Sequence, residues 1–324
     1  MIYYLSTLKH NYTIVDFLAG PGKAMADRIT PISYRELRER TSLPYGTWIF
    51  SDVDRLSGSQ SVQILPHWRA LKDAGVPVLN HPVNSMRRYE LLRALRETGV
   101  NDFDAYMFTE HRKPKRFPVF IRKAADHGGA HSALLPDQAA LDAEMARLEA
   151  DDVWPGDKLI VEFIETADHA GIRRKYAALR IGDRLIPRQI LHSKEWVIKR
   201  HDLHEPELVA EEIDYLANGK DAERLMAIFD LANMQFGRID YSFANGRLQV
   251  FEINANPTII GRTSTAALDD PDAPRGATYR GVMEKITAAL EALDIGDGPA
   301  IPVTPLKSDW NLLPPDHSGS ILVP

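Results

Sequence analysis

The stretch Val250-Phe251-Glu252-Ile253-Asn254-Ala255-Asn256-Pro257 (VFEINANP) begins like a buried strand and ends in a carboxylate, two amides and a proline. Side chains two positions apart on a strand point to the same face, so Glu252 and Asn254 are predicted to project together. Proline has no N–H to give to a sheet, and Pro257 is therefore predicted to end the strand. The stretch predicts a strand that presents oxygen ligands at its end.

A second strand is predicted directly before this one, over Arg238 to Phe243, because Asn245-Gly246 favours a tight hairpin turn. Asp240 lies twelve positions before Glu252, so the folded hairpin can bring both carboxylates near the end remote from the turn. Carboxylate and amide oxygens suit Mg²⁺, which fills its other positions with waters and substrate phosphates, and a nucleotide is therefore implied. The alternative is a solvent-facing Glu252 followed by an ordinary loop.

The composition is that of a globular protein, with 44% hydrophobic and 26% charged residues among 324. The formal net charge is -6 and the basic residues are scattered, which argues against a nucleic-acid partner. The absence of cysteine excludes thiol nucleophiles, disulfides and cysteine metal sites. With no apolar run long enough for a membrane span and no signal-like N-terminus, we expect a cytoplasmic protein that does not engage membranes.

Apolar runs alternate with helical patterns along the chain, which predicts an α/β protein of several lobes. Strands are expected at 48–50, 76–80, 118–123, 158–165, 176–181 and in the hairpin; helices are expected at 67–75, 87–97, 137–148, 206–217, 221–234 and 279–293. The predicted units are an N-terminal α/β lobe (1–85), a central lobe (86–160), a C-terminal lobe (161–295) and a Pro/Gly-rich tail (296–324) that trails over the surface.

Asp240, then Glu252-Ile253-Asn254 with Asn256-Pro257, resembles the metal-binding signature of the ATP-grasp superfamily. Its members include D-alanine ligases, glutathione synthetases and ligases that add glutamate to a ribosomal protein's tail. The resemblance implies an ATP-grasp fold, in which an N-terminal α/β lobe precedes two lobes that clamp ATP. It also implies that Asp240, Glu252 and Asn254 bind Mg²⁺, or Mn²⁺ in its place.

The resemblance extends upstream to groups that would hold the phosphates. Arg88 and Arg122 stand where the family usually has nucleotide-contacting lysines, and both keep the positive charge. Gly128 and Gly129 occupy the place of the family's glycine-rich loop, whose backbone N–H groups approach the phosphates closely. A plain surface turn is the alternative for this loop.

The stretch Ile160 to Glu165 resembles the hinge of the family, where adenine binds main-chain groups. The resemblance implies that Phe163 and Ile164 supply backbone groups and that Glu162 or Glu165 accepts from the ribose. Without that resemblance the stretch would be a buried strand with charged flanks.

Cations are frequent after this hinge, and in the family such residues steady the transferred phosphoryl group. They are Arg173, Arg174, Lys175, Arg188, Lys199 and Arg200. Arg188 and Lys199 are the predicted catalytic cations, and solvated surface charges are the alternative. The N-terminal lobe and the segment Arg262-Thr263-Ser264-Thr265 are predicted to shape the acceptor pocket.

The reaction implied by the family is ATP-dependent joining of a carboxylate to an amine, or to another nitrogen nucleophile, through an acyl phosphate. The substrates would be small molecules or peptides, and a homodimer would be usual. Two alternatives stay open: a non-catalytic ATP-binding module of the same fold, and a kinase-like member that stops at phosphorylation.

Overall fold

The computed structural model describes residues 1–110, 112–125, 128–151, 155–200, 202–260, 268, 270 and 275–306. Helices and strands alternate through three principal sheets, so the predicted α/β class is confirmed. No helix in these ranges is both long and apolar enough to span a membrane.

The N-terminal sheet is parallel and has the strand order β2-β1-β4-β5. Its strands are β1 (Ile2–Ser6), β2 (Ile29–Ser33), β4 (Thr47–Phe50) and β5 (Val78–Leu79). The helices of this part are α1 (Tyr12–Ala19), α2 (Tyr34–Glu39), α3 (Gly58–Gln63) and α4 (Leu65–Asp73). Strand β2, which follows β1 in the chain, lies on one side of β1, and β4 lies on its other side. The strand order therefore reverses between β1 and β4, at their carboxyl ends.

The central sheet is antiparallel, with the order β6-β8-β7. Its strands are β6 (Ala105–Met107), β7 (Val119–Lys123) and β8 (Lys158–Glu162), and α6 (Gln138–Ala150) belongs to the same part. The segment 163–165, which was predicted to continue the strand, is not in a strand. Helix α5 (Arg88–Glu97) precedes the sheet and packs against both β6 and a strand of the next sheet.

The third sheet is antiparallel, with the order β10-β9-β11-β12. Its strands are β9 (Arg173–Ile181), β10 (Arg184–Ser193), β11 (Phe236–Ala244) and β12 (Arg247–Asn254). The helices of this part are α7 (Pro206–Asn218), α8 (Ala222–Leu231) and α9 (Gly276–Glu291). Strand β10 is not among the strands predicted from the sequence, because Pro187 interrupts its alternation and the register shifts between Pro187 and Gln189.

The N-terminal and third sheets share one hydrophobic core, whereas most of the core of the central part is separate. The rings of Tyr4 and Phe236 meet edge to face at 5.5 Å across the shared core. The separate cluster consists of Tyr106, Phe108, Val119, Ile121, Leu135, Leu141, Leu148 and Ile160. The central part is thus a cap over a larger two-sheet body, and the predicted lobe boundaries remain predictions.

The C-terminal segment departs from the prediction that the chain trails over the surface from residue 296. Strand β13 (Ile301–Pro302) pairs with β3 (Ser42–Leu43) in an antiparallel ladder, and the Val303 N–H donates to the Thr41 carbonyl at 3.0 Å. Its backbone hydrogen bonds are made with the N-terminal part, so this segment ties the end of the third part to the beginning of the chain.

Candidate functional site

The hairpin of β11 and β12 turns at Asn245 and Gly246, whose φ values of 51° and 76° are those of a tight hairpin turn. Near the turn the pairing is symmetric, but the register shifts by one residue between Asp240 and Tyr241. Asp240 therefore lies opposite Glu252 rather than Phe251. Residues directly opposite on neighbouring strands share a face, so this irregularity brings the two carboxylates together.

Both carboxylates are buried and both contact cationic side chains. Asp240 is 1% exposed and accepts from Arg238 Nε at 2.8 Å, with Lys175 Nζ at 3.5 Å. Glu252 is 9% exposed; its Oε2 accepts from Arg88 Nε at 3.1 Å and from Arg122 Nη2 at 3.3 Å. Two like charges directly opposite in a sheet destabilise it, and these four cations offset that repulsion.

Asn254 lies opposite Arg238, two residues beyond Glu252, and its Oδ1 accepts from the Asn256 N–H at 2.9 Å. The Asn256 side chain reaches the N-terminal part, accepting from the hydroxyls of Tyr4 at 2.8 Å and Thr13 at 2.6 Å, and donating to the His10 carbonyl at 3.0 Å. The amides that follow the strand therefore fix the end of the hairpin against the N-terminal sheet.

The donor set suits a hard divalent cation, since it consists of two carboxylates and an amide oxygen. In the described ranges, however, no group of three or more His, Asp or Glu side chains is arranged to hold a metal ion. The predicted binding of Mg²⁺ or Mn²⁺ by Asp240, Glu252 and Asn254 therefore stays a prediction.

A cleft of about 990 Å³, including the space at its open mouth, lies between the central and third sheets. The structure brings together in its lining many of the residues that the sequence analysis singled out. These are Arg122, Gly129, Glu162, Phe163, Ile164, Lys199, Asp240 and Glu252, along with Arg173 and Lys175.

Other predicted residues adjoin the cleft or lie apart from it. Arg88 is not among the lining residues but contacts the lining residue Glu252, and the Gly128 carbonyl accepts from Lys199. Arg188 lies outside the lining, where its Nε donates to the Ile259 carbonyl at 2.8 Å beside the ring of Tyr279. Burial lowers the pKa of Arg188 to about 10, and the nearby charge of Arg238 acts in the same direction.

The roof of the cleft is the loop that follows β10, closed at its base by Ser193 donating to Asp202 at 2.7 Å. Trp196 in this loop packs its ring 5.2 Å from that of Phe120 and 6.1 Å from that of Phe163. Trp196 and Phe120 are not among the site residues predicted from the sequence, because neither lies in a recognisable motif.

Arg238 is likewise not among the site residues predicted from the sequence. A sequence signal for this residue existed, since Arg238 precedes Asp240 by two positions on one strand and so must share its face.

The two candidate ribose acceptors differ in their surroundings. The Glu162 carboxylate accepts from the Tyr106 hydroxyl at 2.9 Å and from the N–H groups of Asp104 and Lys115 at 3.1 and 2.9 Å, so it organises the central part. Glu165 pairs with Arg173, a cleft-lining residue, at 2.6 Å. Burial acts to raise the pKa of Glu165, but hydrogen bonds that include the one from this guanidinium lower it on balance. Neither assignment is tested by these contacts.

The predicted acceptor segment, residues 262–265, lies outside the described residues. Next to it in the chain, Asn256 at the hairpin end donates to the carbonyl of His10, and the His10 side chain in turn lies beside Asp52, which follows β4. There the buried Asp52 accepts from the Thr7 N–H at 2.9 Å, and His10 Nδ1 lies 2.8 Å from the Thr7 hydroxyl. In open parallel sheets, ligands bind at the point where the strand order reverses, and these residues lie at that point.

No protein-family model matches the chain, and no curated protein matches its sequence. Among solved structures, it is similar to the D-alanine–D-alanine ligase of Bacillus anthracis, with 13% identity, a TM-score of 0.48, and coverage of 89% of this chain and 98% of that one. The structure of the same enzyme complexed with ATP gives 12% identity and a TM-score of 0.46, with the same coverage of the two chains.

A RimK-domain ATP-grasp protein from Sphaerobacter thermophilus gives 12% identity and a TM-score of 0.48, over 89% of this chain and 100% of that one. These structures are of the kind to which the sequence motif was compared. At such scores the likeness by itself carries no conclusion about substrate or activity.

Proposed function

We propose that this protein is an ATP-dependent ligase of the ATP-grasp type, which joins a carboxylate to an amine or another nitrogen nucleophile through an acyl phosphate. The observation that carries the proposal is the position of Asp240 and Glu252. They lie opposite one another on the wall of a cleft between two sheets, among cations that suit phosphate groups.

Adenine would bind at the end of β8, near Phe163 and Ile164. The Phe163 N–H already donates to the Pro118 carbonyl at 2.9 Å, whereas the main chain of Ile164 makes no protein hydrogen bond in the described part of the chain. Ile164 is thus the better candidate for pairing with the base. Phe120 and Trp196 offer aromatic faces on the same side of the cleft.

The phosphates would lie toward the hairpin. Arg122, Lys175 and Lys199 line the cleft there. Arg238, whose guanidinium is hydrogen-bonded to Asp240, lies on the same face of the sheet as that carboxylate. Asp240, Glu252 and Asn254 would hold Mg²⁺, which when bound neutralises charge on the phosphate oxygens. The cations of this chain would meet the charge that develops as the substrate carboxylate attacks the γ-phosphorus and ADP leaves.

The nitrogen nucleophile would then attack the acyl carbon, form the amide and release phosphate. We place its site near Thr7, His10 and Asp52, because the hairpin end that carries Glu252 is hydrogen-bonded to His10 through Asn256. Contact between the Gly128 carbonyl and Lys199 bridges the cleft, and in the nucleotide complex such closure would exclude water from the intermediate.

One observation favours the alternative of an ATP-binding module without ligation. Both arginines that stand in place of the family's lysines contact Glu252, so this carboxylate is engaged by the protein itself. ADP release that requires an added carboxylate would support the ligase. Binding without turnover would support the module, and a phosphorylated product that accumulates would indicate a kinase-like reaction.

The first experiment is calorimetric titration of ATP with Mg²⁺ into the intact protein, Glu252→Ala and Glu223→Ala. Glu223 is exposed on α8 and serves as the matched control. We expect a dissociation constant on the order of micromolar for the intact protein and the control, and a loss of about tenfold or more in Glu252→Ala. No binding to any of the three proteins would overturn the proposed function.

A further inference from the structure

Arg88 connects the two sides of the cleft from within the protein. It begins helix α5, is 5% exposed, and lies 164 positions from Glu252 in the chain. Its Nε and Nη2 both donate to Glu252 Oε2, and its Nη1 donates to the carbonyls of Lys123 at 3.0 Å and Ala124 at 2.6 Å. One guanidinium thus holds the carboxylate on β12 and the end of strand β7.

The end of β7 is also where the glycine-bearing loop begins, since Gly128 and Gly129 follow within a few residues. A lysine could not make the same set of contacts in this geometry. Its donors radiate from a single nitrogen, whereas the planar fork of arginine spreads them over three nitrogens. This is a physical reason for arginine at a position where the family resemblance implies lysine.

Arg122 adds a second guanidinium to the same oxygen, at 3.3 Å. A divalent cation at Glu252 would therefore enter next to two positive charges in a buried, weakly screened place. Phosphate groups change this balance, because guanidinium binds phosphate oxygens as well as it binds a carboxylate. An anion that draws the arginines toward itself would free Glu252 for the cation.

We propose that Arg88 is a positioning residue that withholds Glu252 from a divalent cation until nucleotide phosphates engage the guanidinium. This inference rests on the proposed function, since it assumes that the nucleotide lies in the cleft. The cation and nucleotide would then bind as a unit, and the root of the glycine-bearing loop would lose its tie to Glu252 in the same event.

The test measures binding of Mn²⁺ alone, by the paramagnetic resonance signal of the free ion, to the full-length protein without nucleotide. Arg88→Met removes the guanidinium that holds Glu252. The matched control is Arg96→Met on the same helix, where the guanidinium donates to the carbonyls of Asn101 and Asp102. We expect Mn²⁺ affinity to rise about tenfold or more in Arg88→Met, and not in Arg96→Met. Equal affinity in the intact protein and both variants overturns the inference.

Arg88→Met leaves Glu252 with fewer partners, so its folding is checked by circular dichroism. Should it not fold, Arg88→Lys and Arg122→Met replace it, and Mn²⁺ affinity unchanged in both overturns the inference. A second titration, by calorimetry, adds ATP together with Mg²⁺ to the same proteins. If no protein binds ATP but Arg88→Met still tightens Mn²⁺ binding, the proposed function fails while the withholding of Glu252 stands. If ATP binds and the intact protein binds Mn²⁺ as tightly as Arg88→Met, the inference fails and the proposed function stands.

Discussion

Asp240 lies directly opposite Glu252 on the paired strands β11 and β12, although the symmetry of the turn would have placed Phe251 there. The single-residue register shift is what puts two buried carboxylates on one face. Arg238 and Asn254 form the next pair on that face, so the hairpin carries an acid pair beside a cation and an amide. This arrangement underlies both proposals and can be tested through the residues around it.

Gly129 is predicted to be needed for closure of the cleft. Its φ is 99°, and a Cβ at this position would lie 2.6 Å from Lys199 Cε. Gly129→Ala should therefore push Lys199 from the Gly128 carbonyl and weaken ATP binding about tenfold. Gly171→Ala is the control, because φ is 75° there but nothing lies near the added Cβ. Equal effects on calorimetric ATP affinity would show that backbone strain alone is responsible.

Trp196 is predicted to contribute to nucleotide affinity through its contacts with Phe120 and Phe163. Trp196→Ala removes the aromatic part of the roof and should weaken ATP binding by about 1–2 kcal/mol, with little effect on unfolding. Trp68→Ala, in which the lost ring lies against His81 of the N-terminal part, is the comparison. The roof assignment is wrong if titration shows the same loss of ATP affinity in both variants.

Asn80 is predicted to be a strong contributor to stability. Its φ is 63°, its side chain donates to the carbonyls of Phe50 and Phe236, and it accepts from the N–H groups of Gln235 and Phe236. Asn80→Ala would leave these buried groups without partners and should cost about 2–4 kcal/mol in urea unfolding. Asn84→Ala, on an exposed neighbour, should change the free energy of unfolding by less than about 0.5 kcal/mol. A small loss for Asn80→Ala would contradict this account.

Glu211 is predicted to make stability depend on acid pH. Burial acts to raise the pKa of Glu211, but hydrogen bonds from His192 and Arg174 outweigh it and lower this pKa from 4.5 to about 2. A carboxyl whose folded pKa is lowered stabilises the protein fully above the unfolded pKa, and this stabilisation is lost as the pH falls through the folded value. At pH 7 the free energy of unfolding of the intact protein should exceed that of Glu211→Gln by on the order of 1–2 kcal/mol, after allowance for the partial exposure of this carboxylate.

The difference should shrink between about pH 4.5 and pH 2, as followed by thermal unfolding. Glu207→Gln, at an exposed position on the same helix, is the control. A difference between the intact protein and Glu211→Gln that stays constant down to pH 2 would contradict the assignment.

The local structure of the hairpin, of the helices from 206 onward and of the strand at 119–123 could be predicted from the sequence. In each, periodicity and turn residues agree with the structure that forms. The strand β10 could not be predicted, because Pro187 and the irregular register beside it break the alternation. The pairing of β13 with β3 could not be predicted either, because it joins segments about 260 residues apart.

The sequence by itself determined the α/β class, the Asn-Gly turn and the presence of a carboxylate on each strand, since these follow from local backbone preferences and side-chain alternation. Only the tertiary structure decided that Asp240 faces Glu252, that Arg88 and Arg122 converge on the same carboxylate, and that Trp196 covers the cleft. The physical reason is that each of these depends on register and packing between segments far apart in the chain. Local propensity carries no information about which distant groups will meet.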